Sequence, residues 1–387
     1  MHPKASLLIV PAMLSVAAAL PAAEPELKLS PIVYFQTRAD LPGGTDTAGN
    51  DYAAGTEQGV AESDTVDFYL RRARIGTKLS YGNWSGRLLL AADNAGRNVN
   101  AGAAQASGTA VTLYDAYGAY SIKGDGINHE IRVGLYQAAF NPDSYYSSGS
   151  FQFAANGITE NHVSNRQVGV GYTLDHEMVD VMVDVQNVRT DDNAGQALDG
   201  DGLWMSGRVV ITGPGEWNIG KWQSSYAGAE GQGIAVGLEF ATENTAVGQP
   251  DTQEVTAYGI DVLFHMDGLT ASAEYRGQST NSGAANADDV DSTVYRIQAG
   301  YAFPVSEYFL EPAIRYGSYD SNTDIDDQAG NFGGSDYARA SGDEIDVGLN
   351  LYISGHKHKL SMLYTSWSAE GGDADASIIR FQHQLSF

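Results

Sequence analysis

The chain has 387 residues, 48 of them acidic and 22 basic, giving a formal charge of −26, with 45 glycines, 22 tyrosines and no cysteine. That balance argues against non-specific association with nucleic acid or anionic surfaces. The missing cysteines exclude disulfides, thiolate metal sites and a thiol nucleophile. Disorder is excluded too, because 43% of residues are apolar and only 18% are charged, whereas disordered chains are poor in apolar residues and dense in charge.

The first element in chain order is residues 1–23. His2 and Lys4 precede an apolar run at 7–20, and Pro21, Ala22 and Ala23 follow it. A basic start, a short apolar stretch and a small-residue exit predict a secretory signal peptide, cleaved after Ala23. The run is broken by Pro11 and Ser15 and is too short for a comfortable bilayer span. No later stretch reaches ~18 apolar residues, so no transmembrane helix is expected in 24–387.

The remainder reads as short alternating segments. At 178–186, Val179, Val181, Val183 and Val185 share one face, while Asp180, Met182, Asp184 and Gln186 share the other. Successive strand side chains point to opposite faces, so this is a ribbon with one apolar and one polar side. Ile345, Val347, Leu349 and Leu351 repeat the pattern, as do Ile379, Phe381, His383, Leu385 and Phe387. Sixteen such segments are predicted, at 28–38, 65–80, 84–93, 110–121, 128–140, 166–174, 178–188, 202–212, 233–242, 255–264, 269–278, 293–303, 307–318, 344–353, 358–367 and 377–387. Their connections alternate between short turns and long loops. The long ones are 39–64, 94–109, 141–165, 189–201, 243–254, 279–292, 319–343 and 368–376, and one short-side connection, 213–232, is longer than its peers.

An even number of antiparallel strands, about ten residues each, with short turns at one end and long loops at the other, predicts an all-β, closed transmembrane barrel of the outer-membrane type. Closure is required because lipid offers no hydrogen bonds to a sheet edge. Aromatics near strand ends fit interfacial girdles, namely Trp84, Tyr117, Tyr120, Tyr301, Phe303, Tyr308, Tyr364, Trp367 and Phe387.

Several stretches resemble the phosphate-selective porin O/P family of Gram-negative outer membranes. They are Phe68-Tyr69-Leu70-Arg71-Arg72-Ala73-Arg74-Ile75-Gly76, then Leu113-Tyr114-Asp115-Ala116-Tyr117 followed by Arg132-Val133-Gly134-Leu135-Tyr136-Gln137-Ala138-Ala139-Phe140, and Arg166-Gln167-Val168-Gly169-Val170. Later matches are Gln298-Ala299-Gly300-Tyr301, Glu311-Pro312-Ala313-Ile314-Arg315-Tyr316, Val347-Gly348-Leu349-Asn350, His358-Lys359-Leu360 and the terminal Phe387. They run in the family's order over nearly the whole mature chain. The resemblance implies a sixteen-stranded, homotrimeric, water-filled pore in the cell outer membrane, with its third loop, 141–165, folded inward. It also implies that Phe387 is read by the outer-membrane assembly machinery. The chain departs from the family at its selectivity determinants. Leu135-Tyr136-Gln137 stands where the family has Gln-Phe-Lys, and 141–165 holds no Lys or Arg. Phosphate specificity is therefore not carried over.

Charged side chains on the lipid face cost ~2–4 kcal/mol each for basic residues near the midplane, so the faces are assigned with charge inward. Arg72, Arg74, Lys78, Arg87 and Arg132 then form a basic strip lining the pore, and Asp93, Asp115, Asp180 and Asp184 are pore-lining acids. Arg71 has the wrong parity, so it marks either a bulge or an interfacial position. In the third loop, Asp143, Tyr145, Tyr146, Phe151, Phe153 and Glu160 are the candidate constriction residues.

Catalytic signatures are missing. There is no Gly-x-Ser-x-Gly elbow, no His-Glu-x-x-His and no P-loop, so no enzyme activity and no cofactor are expected. His356 and His358 form a weak metal candidate at a turn. Asp320, Asn322, Asp324 and Asp326 space oxygen ligands at every second residue, as calcium loops do, and could hold a divalent cation, although Ile325 stands where an EF-hand needs Gly. The residues leave open a passive channel for small hydrophilic solutes or ions, a substrate-selective channel for phosphate, other anions or sugars, and a plugged structural or adhesive barrel. The eight long connections hold 27 of the 48 acids and 3 of the 22 bases. The charge therefore predicts an acidic outer rim above a nearly balanced barrel, within a lipid environment.

Overall fold

Alternation governs the architecture. The computed structural model of the protein describes residues 25–46, 66–96, 111–146, 148–158, 166–187, 202–217, 231–247, 251–281, 289–323, 341–370 and 374–387. The leader at 1–23, Glu160, Asp324 and Asp326 lie outside these described residues. Sixteen antiparallel staves close into one barrel. They are β1 (Lys28–Asp46), β2 (Asp67–Tyr81), β3 (Trp84–Ala91), β4 (Thr112–Lys123), β5 (Ile127–Gln137), β6 (Arg166–His176), β7 (Val179–Asn187), β8 (Leu203–Thr212), β9 (Gln232–Val247), β10 (Asp251–Met266), β11 (Leu269–Asn281), β12 (Val290–Tyr301), β13 (Tyr308–Asp320), β14 (Gly342–Ser354), β15 (His358–Ala369) and β16 (Ala374–Ser386). Phe303–Val305 continues β12 beyond Ala302 and pairs with the same neighbour, β13. Each strand pairs with its neighbours in sequence, and β1 closes the ring by pairing with both β2 and β16.

The two faces separate by residue parity. On β14, Ile345, Val347 and Leu349 are exposed on the outer face, while Glu344, Asp346 and Asn350 are buried on the inner one. On β7, Val183 and Val185 point outward and Asp180, Asp184 and Gln186 inward. This is the apolar-out, polar-in alternation that a lipid-facing barrel requires. Short turns end the hairpins on one side. The β10–β11 turn is only Asp267 and Gly268, both with positive φ (43° and 95°), the backbone of the two-residue turn that follows the strands' own twist.

Two irregularities keep charge inside. Along β1 and β2 the pairing passes from Gln36–Arg72 to Thr37–Leu70, so Arg71 is the extra residue of a bulge. The bulge shifts parity by one, which lets Asp67 and Tyr69 above it and Arg74 below it all be buried. A matching shift between β3 and β4 leaves Tyr114 as the extra residue.

The structure corrects four expectations. Positions 243–254 and 368–376 are mostly ladder, since β9 and β10 stay paired up to Val247 and Asp251 and β15 runs to Ala369. Rungs beyond the bilayer need no apolar face, so alternation did not reveal them. Asp40, read as a loop residue, lies in β1 and is buried against Arg380, with a 2.8 Å bond to Arg380 Nε. Tyr117 and Trp367 are not interfacial. Tyr117 packs inside beneath the Arg132 guanidinium, and Trp367 is 2% exposed opposite inward Glu344. Strand β5 stops at Gln137, so the following loop leaves the wall at residue 138 and not after 140.

Candidate functional site

Residues 138–146 and 148–158 lie against the inner face of the barrel. The segment starts with a short helix, Pro142–Tyr145, which is capped locally. Asn141 Oδ1 accepts from the Ser144 N–H at 2.8 Å, Ser144 Oγ accepts from the Asn141 N–H at 3.0 Å, and Pro142 fills the first helical position. Beyond the helix the backbone is mostly irregular. A buried irregular backbone must find hydrogen-bond partners elsewhere, and here the wall supplies them.

Six carbonyls between Gly149 and Asn156 accept from six wall side chains, and on the opposite side Arg208 donates to Phe140 O at 3.4 Å. Gln384 donates to Gly149 O (2.6 Å), Lys359 to Phe151 O (2.7 Å) and Asn350 to Gln152 O (2.6 Å). Arg38 then donates to Ala154 O, Arg315 to Ala155 O (2.8 Å) and Arg296 to Asn156 O (2.8 Å). The six donors stand on β16, β15, β14, β1, β13 and β12. The loop is thus strapped to one half of the wall. Gly157 allows the close approach: its φ is +78°, and a Cβ there would lie 2.6 Å from atoms of Arg315 and Glu344. Side chains reinforce the seat. Phe153 packs on Ala313 and Leu363, Phe151 and Tyr146 on Leu263, and Phe140 on Trp204.

The charged residue of this loop does not stand free. Asp143 accepts from Arg296 at 3.1 and 3.3 Å. Arg296 also reaches Glu274 at 2.6 Å, and the alternation continues through Arg276, Glu239 and Arg208 to Asp261. Seven alternating charges therefore run across β8 to β12 and end on the loop. All but the half-buried Asp143 are buried, and each is held by an opposite neighbour, the condition under which charges tolerate burial. At the other side Tyr145 donates to Asp180 at 2.6 Å, and Asp184 accepts from the Ala139 N–H at 3.2 Å. Burial, and then the Asp180 carboxylate, raise the Tyr145 phenol above its ordinary pKa, so it keeps the proton it donates. Burial and the Asp261 charge do the same for Tyr146.

The β2–β6 wall carries the basic residues left unstrapped. Arg74 is bonded to Asp93 through Nε at 3.1 Å and lies 3.8 Å over the Tyr114 ring, with Arg166 3.9 Å from the same ring. Asp115 takes both Arg87, at 3.2 Å, and Arg166. Arg132 pairs with Glu130 at 2.7 Å and stacks on Tyr117 and Tyr136. Arg72 stands opposite Gln36 with no carboxylate partner among the described residues. Lys78 stands directly across the ladder from Arg87 and is exposed toward the short-turn end.

The predicted site residues therefore divide into three groups. Arg72, Arg74, Arg87, Arg132, Asp93 and Asp115 gather on one wall. Asp143, Tyr145, Tyr146, Phe151 and Phe153 sit on the loop with their charge and rings turned to the wall, near Asp180 and Asp184. Asp320 is the last residue of β13 and accepts from the Asn322 N–H at 3.0 Å, a local turn contact. Among the described residues no cluster of three or more metal-ligating groups occurs. Two cavities of about 300 Å³ each flank the loop. One is lined by Tyr34, Arg74, Arg87, Ser150 and Gln384, the other by Arg132, Tyr145, Tyr146, Asp180 and Asp184. Lys359, Asn350, Gln384, Arg166 and Tyr114 had no role assigned from sequence. Parity alone would have turned Lys359 inward with Ser361, but no short-range pattern indicates what it bonds.

No family model matches the chain. An uncharacterised protein of Aquifex aeolicus is 30% identical over 168 residues, 41% of this chain, and the match spans only 37% of that protein's length. Among solved structures, an anion-selective porin from Comamonas acidovorans superposes with a TM-score of 0.56 at 13% identity, over 94% of this chain and all of that one. OmpT, an outer membrane protein of Vibrio cholerae solved in its trimer form, superposes with a TM-score of 0.51 at 11% identity, again over 94% of this chain and all of the other. At such identities the likeness concerns the fold.

Proposed function

We propose that the chain is an outer-membrane porin through which small hydrophilic solutes and ions diffuse passively. One observation carries this reading. The interior loop is tied to the wall from β12 round to β1 and seated on β7 and β8, leaving cavities between it and a charged wall, inside a barrel whose outer face is apolar. In this reading the loop is the constriction. Arg72, Arg74, Arg87, Arg132 and Arg166, opposed by Asp93, Asp115 and Glu130, form a basic pore wall with a net excess of two positive charges. Rings and strips of charge tune which ions enter a pore. This wall favours anions weakly, while the acidic rim favours cations at the mouth.

We assign no phosphate specificity. The loop offers no free cation, and the lysine that the resemblance implies after Gly134 is Gln137. Export through the 1–23 leader, assembly through Phe387 and a homotrimeric state belong to the same proposal, the last supported by the trimeric form of the structurally similar OmpT. Reconstitution of the purified protein into planar bilayers tests it. Stepwise, ohmic conductance is expected, with a small anion preference at high salt and no block by phosphate beyond its ionic strength. A barrel that passes no ions would refute the porin reading in favour of a plugged structural one. Saturable block by submillimolar phosphate would restore the phosphate-selective one.

A further inference from the structure

His358 and His383 meet on the outer face of the barrel. His358 opens β15 directly after the short turn, and His383 lies on β16, diagonally across, with Leu360 opposite it and Leu385 opposite His358. Lys359, Gln382 and Gln384 are buried on the inner face, so strand parity places both imidazoles outside. Their Nε2 atoms are 3.2 Å apart and the ring centroids 5.2 Å apart, with the planes inclined by 51°. Both side chains are half-buried.

We propose that these two histidines form a divalent-metal site for a borderline-soft cation, Zn²⁺ or Cu²⁺, at the short-turn rim of the barrel. Two imidazole nitrogens this close either share a single proton or share a metal in its place. A tetrahedral ion with Zn–N bonds of ~2.0–2.1 Å holds two ligand nitrogens ~3.3 Å apart. The observed separation therefore needs no backbone movement to accept the ion. Imidazole selects Zn²⁺, Cu²⁺ and Ni²⁺ over the oxygen-seeking Ca²⁺ and Mg²⁺. Among the described residues no third His, Asp or Glu joins the pair, so water completes the coordination sphere.

The sequence suggests a different pair, His356 and His358. That pair does not form, because His356 packs edge-on to inward Tyr352, 5.3 Å between centroids, on the opposite side of the sheet. A bound ion would staple β15 to β16, the final hairpin of the chain.

The test uses the full-length barrel in detergent. Cu²⁺ titration followed by electron paramagnetic resonance should show one ion per chain with two coupled nitrogens, and Zn²⁺ should raise the thermal unfolding midpoint. His358→Gln and His383→Gln should each weaken binding by at least the ~10-fold that loss of a mere supporting partner of a metal ligand costs. Both should abolish the Zn²⁺-dependent midpoint shift, while His356→Gln should bind as the parent does. Circular dichroism of the variants in metal-free buffer confirms the barrel is intact. Binding should weaken in acid, because imidazole ligates only when unprotonated. A Cu²⁺ spectrum with oxygen ligands alone, or unchanged affinity in His383→Gln, overturns the site. Conductance is a separate readout, since an ion on the outer face does not enter the pore.

Discussion

Arg296 is the residue on which the seat of the interior loop depends most. It holds both limbs of the loop, through Asp143 and Asn156 O, and anchors them to Glu274 at 2.6 Å. It is 5% exposed. Arg296→Ala strips Asp143 of this pairing and leaves Glu274 held by Arg276 alone, and breaking a buried ion pair costs ~3–5 kcal/mol in a dry interior. Water entering from the lumen rehydrates part of that charge, which places the loss near ~3 kcal/mol. At 1.4 kcal/mol per decade, the population of undocked loop should rise roughly 100-fold, while the other carbonyl straps keep the docked state dominant. In single-channel recordings the variant should keep its mean conductance within about a factor of two but show frequent transient openings. A double-mutant cycle with Asp143→Ala, read by thermal unfolding in detergent, should give a coupling of ~1–3 kcal/mol between the two sites. A coupling below ~0.5 kcal/mol together with unchanged current noise would refute the strapping argument.

Three further outcomes follow from the same geometry. Arg72→Gln removes a cation with no carboxylate partner among the described residues, so the unfolding midpoint should hold while the reversal potential in a salt gradient moves away from anion preference. A midpoint drop comparable to that of Arg296→Ala would show that Arg72 is structural. Gly157→Ala forces φ = +78° on a residue with a Cβ and drives that atom into Arg315 and Glu344. It should destabilise by at least ~1–2 kcal/mol and increase current noise, and a silent variant would mean that the loop is not pressed against that pair. Finally, cation preference should grow as ionic strength falls, because the acidic connections act within a Debye length, ~10 Å at 0.1 M and ~30 Å at 0.01 M. Reversal potentials measured at both strengths check this, and a salt-independent ratio would remove the rim from the account.

Much of the fold was legible because lipid enforces a period of two. A strand with water and charge on one side and hydrocarbon on the other must alternate, so Val179 to Val185 and Ile345 to Leu351 announce their strands without help from distant residues. Where that pressure stops, the pattern fades, and the upper rungs of β9, β10 and β15 carry no alternation that marks them as strand. Arg71 shows the same logic in reverse, since its wrong parity was visible in sequence and the bulge between Gln36–Arg72 and Thr37–Leu70 resolves it.

The site was less legible. Sequence alone determined that charge lines the interior and apolar residues the exterior, because burying arginine in hydrocarbon is prohibitive. It could not determine which charges stay available. Arg38, Arg296 and Arg315 look the same in sequence as Arg72, Arg74 and Arg87, yet the first three are spent on the carbonyls of Ala154, Asn156 and Ala155 and the second three are not. The difference arises from contacts 116 to 160 residues apart in the chain. These form only when closure of the barrel brings β12, β13 and β1 beneath the loop, so only the tertiary structure decides them.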